Sequence, residues 1–159
     1  MLVPEAYSAA GSLQDALTAR AIATAAHIGQ VDKLGNDYIE HPARVAATFD
    51  RFSQSTEHCA AWLHDVLEDT AITAEELLDA GVQREVLEAV LLLTRRNEVP
   101  TDLYYSRIRE HPVARAVKLA DIADNTAEWR IRQLDPDARV RLAEKYAKAL
   151  AAHELEETK

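Results

Sequence analysis

The sequence has one cysteine, Cys59, only four glycines and five prolines, and an aromatic content of 6%. Each scarcity excludes something. A single thiol forms no internal disulfide and rules out a zinc site built on several thiolates. Few aromatics argue against an all-β sandwich, and few glycines and prolines leave few places where a helix must break. No apolar run approaches the roughly 18 residues that a membrane span needs, so no membrane partner is expected. Met1-Leu2-Val3-Pro4-Glu5 lacks a basic region followed by an apolar stretch, so it does not read as a signal peptide, and a cytoplasmic protein is expected. Positive charge is short as well. Lysine and arginine number 18 against 27 aspartates and glutamates, a formal net charge of −9. Such a surface repels polyanions and excludes a nucleic-acid polymer as partner. A small phosphorylated ligand stays compatible, because a bound cation reverses the local field.

What is present favours helices. Alanine, leucine and glutamate abound, and 48% of residues are hydrophobic, enough for one real core in 159 residues. The chain reads as one all-α domain over 1–159, a bundle of about eight helices behind an N-terminal arm at 1–12. A homo-oligomer is compatible with this composition. Helical spacing predicts helices near 13–28, 41–52, 57–66, 73–81, 83–93, 101–110, 113–129 and 136–154. Thr73-Ala74-Glu75-Glu76 has the form of a capping box, and Asp135-Pro136 is a cap followed by a first-turn proline. Trp62 and Trp129 are expected in the core or at its edge. Tyr104, Tyr105 and Tyr146 are expected at half-buried packing positions, with stacking on a base as their alternative role.

The informative window is Ala60-Ala61-Trp62-Leu63-His64-Asp65-Val66-Leu67-Glu68-Asp69-Thr70. On one continuous helix, His64, Asp65, Glu68 and Asp69 fall within an arc of roughly 140°. Cys59, Ala60, Leu63, Val66 and Leu67 lie opposite. Three carboxylates on one arc repel, and no lysine or arginine shares it. A divalent cation compensates such a cluster; a solvated acidic helix end is the other reading of this window alone. Two distant segments bear on the choice. His41 opens a helix. Lys118, Asp121 and Asn125 share one helical face, with Ala116, Leu119, Ala120 and Ala123 opposite. Singly, His41 reads as a capping or hydrogen-bonding histidine and Asp121 as a buried salt-bridge partner. With the His64 cluster they make two imidazoles and two carboxylates, a donor set suited to Mn, Fe, Co, Ni or Zn.

These segments resemble the HD phosphohydrolase superfamily, whose pattern is H…HD…D. They resemble most the hydrolase domains of Rel/SpoT proteins and the stand-alone small alarmone hydrolases. The resemblance rests on Ala26-His27-Ile28-Gly29-Gln30 continued through Tyr38-Ile39-Glu40-His41-Pro42, on His64-Asp65-Val66-Leu67-Glu68-Asp69-Thr70, and on Lys118-Leu119-Ala120-Asp121 with Asn125. It covers about residues 13–150. It implies an all-α fold and one divalent metal ion, commonly Mn²⁺, held by His41, His64, Asp65 and Asp121. It implies Glu68 and Asp69 as the acidic pair that orients and activates water, and places Asn125 near the ribose and the reacting phosphate. The implied reaction removes the 3′-pyrophosphate from guanosine tetra- or pentaphosphate (ppGpp or pppGpp). Two segments depart from the pattern. Asp32-Lys33-Leu34-Gly35 stands where the family reads R-K-S-G. Ile122-Ala123-Asp124-Asn125-Thr126-Ala127 stands where it reads R-L-H-N-M-R, with Arg130 one turn further on.

The expected ligand is a small phosphorylated nucleotide. Lys33, Lys118 and some of Arg95, Arg96 and Arg107 are the cations expected to neutralise its phosphates, each with surface solvation as the alternative. The polar loop 94–100 is expected to rim the site. Other nucleotides compete as substrates: a nucleoside monophosphate, a modified triphosphate or NADPH. A non-catalytic metal- or nucleotide-binding regulatory module is the reading from another class. The retained Glu68–Asp69 pair favours catalysis, since pure binding needs no water-activating carboxylates. A diesterase of the HD-GYP kind is disfavoured, because no Gly-Tyr-Pro occurs in the chain.

Overall fold

The computed structural model describes residues 5–154. Among these the chain forms ten helical segments and no strand beyond an isolated bridge between Val31 and Asp37. They are α1 (Glu5–Ala26), α2 (Glu40–Ala47), α3 (Ser55–Leu63), α4 (Val66–Asp69), α5 (Ala74–Asp79), α6 (Arg84–Leu93), α7 (Thr101–Glu110), α8 (Pro112–Asn125), α9 (Glu128–Ile131) and α10 (Pro136–Glu154). Eight are longer than a single turn, as the spacing predicted; α4 and α9 have four residues each.

α3 is the central helix. It packs against α1, α2, α6 and α8. Its buried residues Cys59, Ala60 and Ala61 are small, which lets four neighbours approach closely, and Leu63 fills the space at its end. Val45 and Ala46 of α2, Ala89 and Val90 of α6, and Ala114 and Val117 of α8 complete this core. α10 packs on α7 and closes a second, smaller cluster of Ile122, Leu142, Tyr146 and Ala149.

The helix starts obey local chemistry. Thr73 Oγ1 accepts the amide of Glu76 at 3.2 Å, half of the expected capping box. His111 Nδ1 accepts the amide of Ala114 at 3.1 Å, with Pro112 in the first turn. Asp135 Oδ1 accepts the amide of Ala138 at 2.9 Å ahead of α10.

Four boundaries differ from expectation. The part of the expected arm at 5–12 belongs to α1, while residues 1–4 lie outside the described residues. α2 stops at Ala47 instead of near Phe52, because Asp50 Oδ1 takes the amides of Phe52 and Ser53 into a tight turn. The predicted helix over 113–129 ends at Asn125, where Thr126 Oγ1 bonds back to the carbonyl of Ile122 and Ala127 turns extended. Trp129, expected in the core or at its edge, is 47% exposed, with the Arg44 guanidinium 4.9 Å above its ring. The fourth difference bears on function. α3 does not continue through the His-Asp pair. The Ala61 carbonyl, which in an unbroken helix would accept the Asp65 amide, accepts the imidazole N–H of His64 at 2.6 Å, and a new turn starts at Val66.

Burial pushes the Cys59 thiol up to about 11, with Asp15 adding to the shift. At pH 8 only about one thiol in a thousand is then thiolate. Ellman's reagent should titrate Cys59 slowly or not at all in the folded protein, and fully once urea unfolds it.

Candidate metal centre and cleft

α2, the turn after α3, and α8 each bring one donor to a common point. His41 sits in the first turn of α2, His64 directly follows α3, and Asp121 lies on the inward face of α8; all three are buried. One donor atom from each lies within 4.8 Å of the other two. His41 Nε2 is 2.8 Å from Asp121 Oδ1, and His64 Nε2 is 3.4 Å from the same oxygen. Asp65 adds Oδ2 at 3.0 Å from His64 Nε2 and 3.9 Å from His41 Nε2. The polar face of α8 carrying Asp121 is therefore turned into the core, and Leu119 on the opposite, apolar side is 36% exposed.

The imidazoles are set for a cation. The Ala61 carbonyl can only accept, so His64 carries its proton on Nδ1. That leaves Nε2 buried, without a well-formed hydrogen bond, between two carboxylates. A lone pair aimed at oxygens is unfavourable unless a proton or a metal stands between them. The donor set of imidazole nitrogen and carboxylate oxygen fits a divalent transition ion. His41 has the backing that metal-bound histidines usually have: its Nδ1 lies 2.6 Å from Asp124 Oδ2.

Asp124 is held in turn by Arg44, whose Nε donates at 2.8 Å, and by Arg130 at 3.4 Å. Burial alone would raise Asp124, but the hydrogen bonds from His41 and Arg44 lower it to about 2. Burial likewise opposes ionisation of Asp65, yet His64 and the Tyr38 hydroxyl, which donates to Oδ2, lower it to about 2. Burial disfavours a charged His64; Asp65 and Asp121 overcome that and hold it well above the usual histidine value. Asp121 is buried too, and its partners His41, His64 and Lys118 keep it well below the usual carboxylate range.

Beside the centre lies a cleft of about 330 Å³, lined among others by Lys33, Tyr38, Asp69, Arg130, Lys145 and Tyr146. A second cleft of about 330 Å³ adjoins it, lined by Arg95, Thr101 and Tyr104. Glu68, Lys118, Tyr105 and Lys145 border both.

Of the expected acidic pair, Glu68 accepts the Arg95 amide through Oε1. Asp69 is largely exposed at the end of α4, and partial desolvation of its carboxyl with the nearby Asp65 and Glu68 charges pushes it up to about 6. Lys33 stands on the cleft. Lys118 and Asn125 line it too, but their polar groups are committed to Asp121, at 3.3 and 3.0 Å. Arg95 faces the second cleft, its guanidinium 4.8 Å over the Tyr104 ring. Arg96 and Arg107 border neither cleft; they line outer depressions beside Val99. Of the three tyrosines, Tyr104 and Tyr146 are buried, and each also borders a cleft.

No protein-family model matches the chain. A guanosine-3′,5′-bis(diphosphate) 3′-pyrophosphohydrolase of Haemophilus influenzae is 34% identical over 131 residues, 77% of this chain and 19% of that protein. The bifunctional (p)ppGpp synthase/hydrolase SpoT of Escherichia coli is 33% identical over 132 residues, again 77% of this chain and 19% of that protein. The chain thus spans about a fifth of the length of these curated relatives. A solved structure of a metazoan SpoT ortholog, described as hydrolysing ppGpp, superposes with a TM-score of 0.66 at 20% identity, covering 87% of this chain and 85% of that one. The chain is a Rel/SpoT-type HD domain.

In this Rel/SpoT-type domain both departures from the family pattern have structural consequences. Asp32 is spent inside its own loop, accepting the amides of Leu34 at 2.8 Å and Asn36 at 3.0 Å. Its other oxygen faces Arg130 at 3.8 Å, so the guanidinium on this side of the cleft comes from α9. Asp124, in the second departing segment, orients His41. Sequence reasoning gave Asp124 no role, although its spacing of three from Asp121 placed it on the same side of α8. Tyr38 lies in a resembling segment that implies no role for it, and Lys145 carries no sequence signal at all; α10 brings it to the cleft only through packing.

Replacing Asp124 with alanine should lower Mn²⁺ affinity by about 10- to 100-fold while helix content stays unchanged. His64→Ala should abolish binding. Isothermal titration with Mn²⁺, with circular dichroism as the control, checks both.

Proposed function

We propose that this domain is a metal-dependent hydrolase that removes the 3′-pyrophosphate from ppGpp-class nucleotides, using Mn²⁺ held by His41, His64, Asp65 and Asp121. One observation carries the reading: the acidic pair Glu68–Asp69 stands on the cleft that opens onto the buried imidazole–carboxylate group. The names of the curated relatives and of the structural neighbour support the substrate class.

A divalent ion bound there would supply Lewis acidity towards water and phosphoryl oxygen. The protein's own groups do the rest. Glu68 is anchored through one oxygen by the Arg95 amide and keeps the other for orienting the attacking water. The Asp69 carboxylate has no hydrogen-bond partner among the described residues and takes the water proton. Water oxygen forms a bond to phosphorus, the bond from phosphorus to the 3′ oxygen breaks, and the proton taken by Asp69 passes to that oxygen, which leaves as the 3′ hydroxyl. Lys33 and Lys145, which form no ion pair among the described residues, neutralise phosphates along the cleft. Val31, Leu134, Leu142 and Tyr146 give that cleft an apolar wall for a nucleoside.

The loop chemistry of Asp32 favours a second reading for the substrate. With a carboxylate and the α9 guanidinium where the family has a loop arginine, the base end of the cleft is rebuilt, and another nucleotide carrying a phosphate ester is the alternative.

Purified protein with Mn²⁺ should release pyrophosphate from ppGpp. Orthophosphate from nucleoside monophosphates, with no product from ppGpp, would favour the second reading. Asp69→Asn should lower kcat by at least about 10²-fold and leave Mn²⁺ binding intact. Full turnover in that variant removes Asp69 from the mechanism.

A further inference from the structure

The segment Ala26-His27-Ile28-Gly29-Gln30 carries part of the family resemblance, yet none of its side chains touches the metal group or lines either cleft. Its hydrogen bonds show what it does. Gln30 Nε2 lies 3.0 Å from the backbone carbonyl of Asp69. A carbonyl only accepts, so this atom is the amide nitrogen, and Gln30 Oε1 points the other way. There it meets His27 Nδ1 at 2.8 Å, which must then donate. The orientation of the Gln30 amide is thus dictated by His27, and the far end of that amide holds Asp69.

The anchor is rigid. His27 is 2% exposed at the C-terminal end of α1, with its amide bonded to Ala23 and its ring 5.0 Å from the ring of Tyr38. Gly29 has φ +82°, a left-handed conformation that lets the chain reverse directly after the helix. The Gln30 amide donates to the His27 carbonyl at 3.0 Å, and the Gln30 carbonyl accepts the Tyr38 amide at 2.9 Å. Gln30 is therefore fixed along its backbone on both sides.

What it holds is weak on its own. α4 is a single turn of four residues, too short to be stable alone, and the carbonyl at its end has no partner within the turn. Two bonds that hold the turn come from distant segments: the Arg95 amide onto the Glu68 carboxylate, and Gln30 onto the Asp69 carbonyl. One fixes a side chain, the other fixes the backbone.

We propose that His27 and Gln30 are positioning residues that form a strut from the end of α1 to the α4 turn and set the place of the Asp69 carboxylate over the cleft. The inference rests on the proposed role of Asp69. Misplacing a reacting group by a fraction of an ångström slows chemistry without weakening ground-state binding. The strut's signature is thus a loss in kcat alone.

The test uses the full chain with Mn²⁺ and ppGpp. Gln30→Ala is expected to lower kcat about tenfold, with KM and Mn²⁺ affinity within about twofold of the parent. His27→Ala should match it, and the double variant should be no slower than either single one, because both break the same strut. His27→Asn, whose side-chain amide can replace the Nδ1 donor, should recover most of the rate. Amide hydrogen exchange gives a readout independent of turnover: exchange at Asp69 and Thr70 should speed up in Gln30→Ala and His27→Ala, but not in His27→Asn. Unchanged exchange in Gln30→Ala overturns the strut, and faster exchange with a parental kcat overturns its positioning role. If the parent protein does not hydrolyse ppGpp, the proposed function fails, and the exchange data still decide whether the strut exists. Gln30 is only half-buried, so its variants keep the test open should His27→Ala unfold.

Discussion

Crowding of buried charge around His41, His64 and Asp121 is the constraint on which the rest of the structure depends. Asp65 and Asp121 approach the same two imidazoles, and Asp124 stands behind one of them. Removing a carboxylate from water costs several kcal/mol unless partners compensate. Here partners surround each one. Asp121 has His41, Lys118 and Asn125; Asp65 has His64 and the Tyr38 hydroxyl; Asp124 has His41, Arg44 and Arg130. These partners come from the loop before α2, α2, the end of α3, α8 and α9, so satisfying the charges fixes how those elements pack. Among the described residues of this set, His64 Nε2 is left without a good hydrogen bond, at a place that fits a cation.

The same crowding explains why α3 ends where it does. A continuous helix would carry Asp65 onward along the helix axis. By giving the Ala61 carbonyl to the imidazole of His64, the chain stops the ladder, fixes the histidine tautomer and restarts as α4. One hydrogen bond thus does structural and chemical work together. The restarted turn presents Glu68 and Asp69 to the cleft, and it needs outside support from Arg95 and Gln30 to stay there.

Electrostatics at the cleft differ from those of the molecule as a whole. The chain carries a net charge of −9, whereas around the two adjoining clefts Lys33, Lys118, Lys145, Arg95 and Arg130 stand with Asp32, Asp65, Glu68, Asp69 and Asp121. An acidic exterior discourages long polyanions, and the cations at the cleft still offer partners to a compact phosphorylated ligand. Arg130 is tied to Asp32 and Asp124, so its charge is partly used inside the protein, whereas Lys33 and Lys145 face the cleft without ion-pair partners among the described residues.

Much of this was legible in the amino-acid sequence. Composition and helical spacing gave an all-α bundle, and the spans of α7 and α10 agree with those expected. The residue types at 41, 64, 65 and 121 offered two imidazoles and two carboxylates, and the fold brings His41, His64 and Asp121 together with Asp65 beside them. Less visible were the break at His64, which depends on a side chain competing with backbone for one carbonyl, and the inward turn of the polar face of α8. Arg96 looked equivalent to Arg95 in sequence, and both line an outer depression beside Ile72, but of the two only Arg95 also borders the second cleft. The sequence by itself determined the helical class and the chemistry available, since both follow from residue type and periodicity. Tertiary structure alone decided that Asp124 backs His41, that Lys145 reaches the cleft and that Gln30 holds Asp69. The first and last of those contacts join residues 83 and 39 positions apart, and local sequence carries no information about distances that only packing sets.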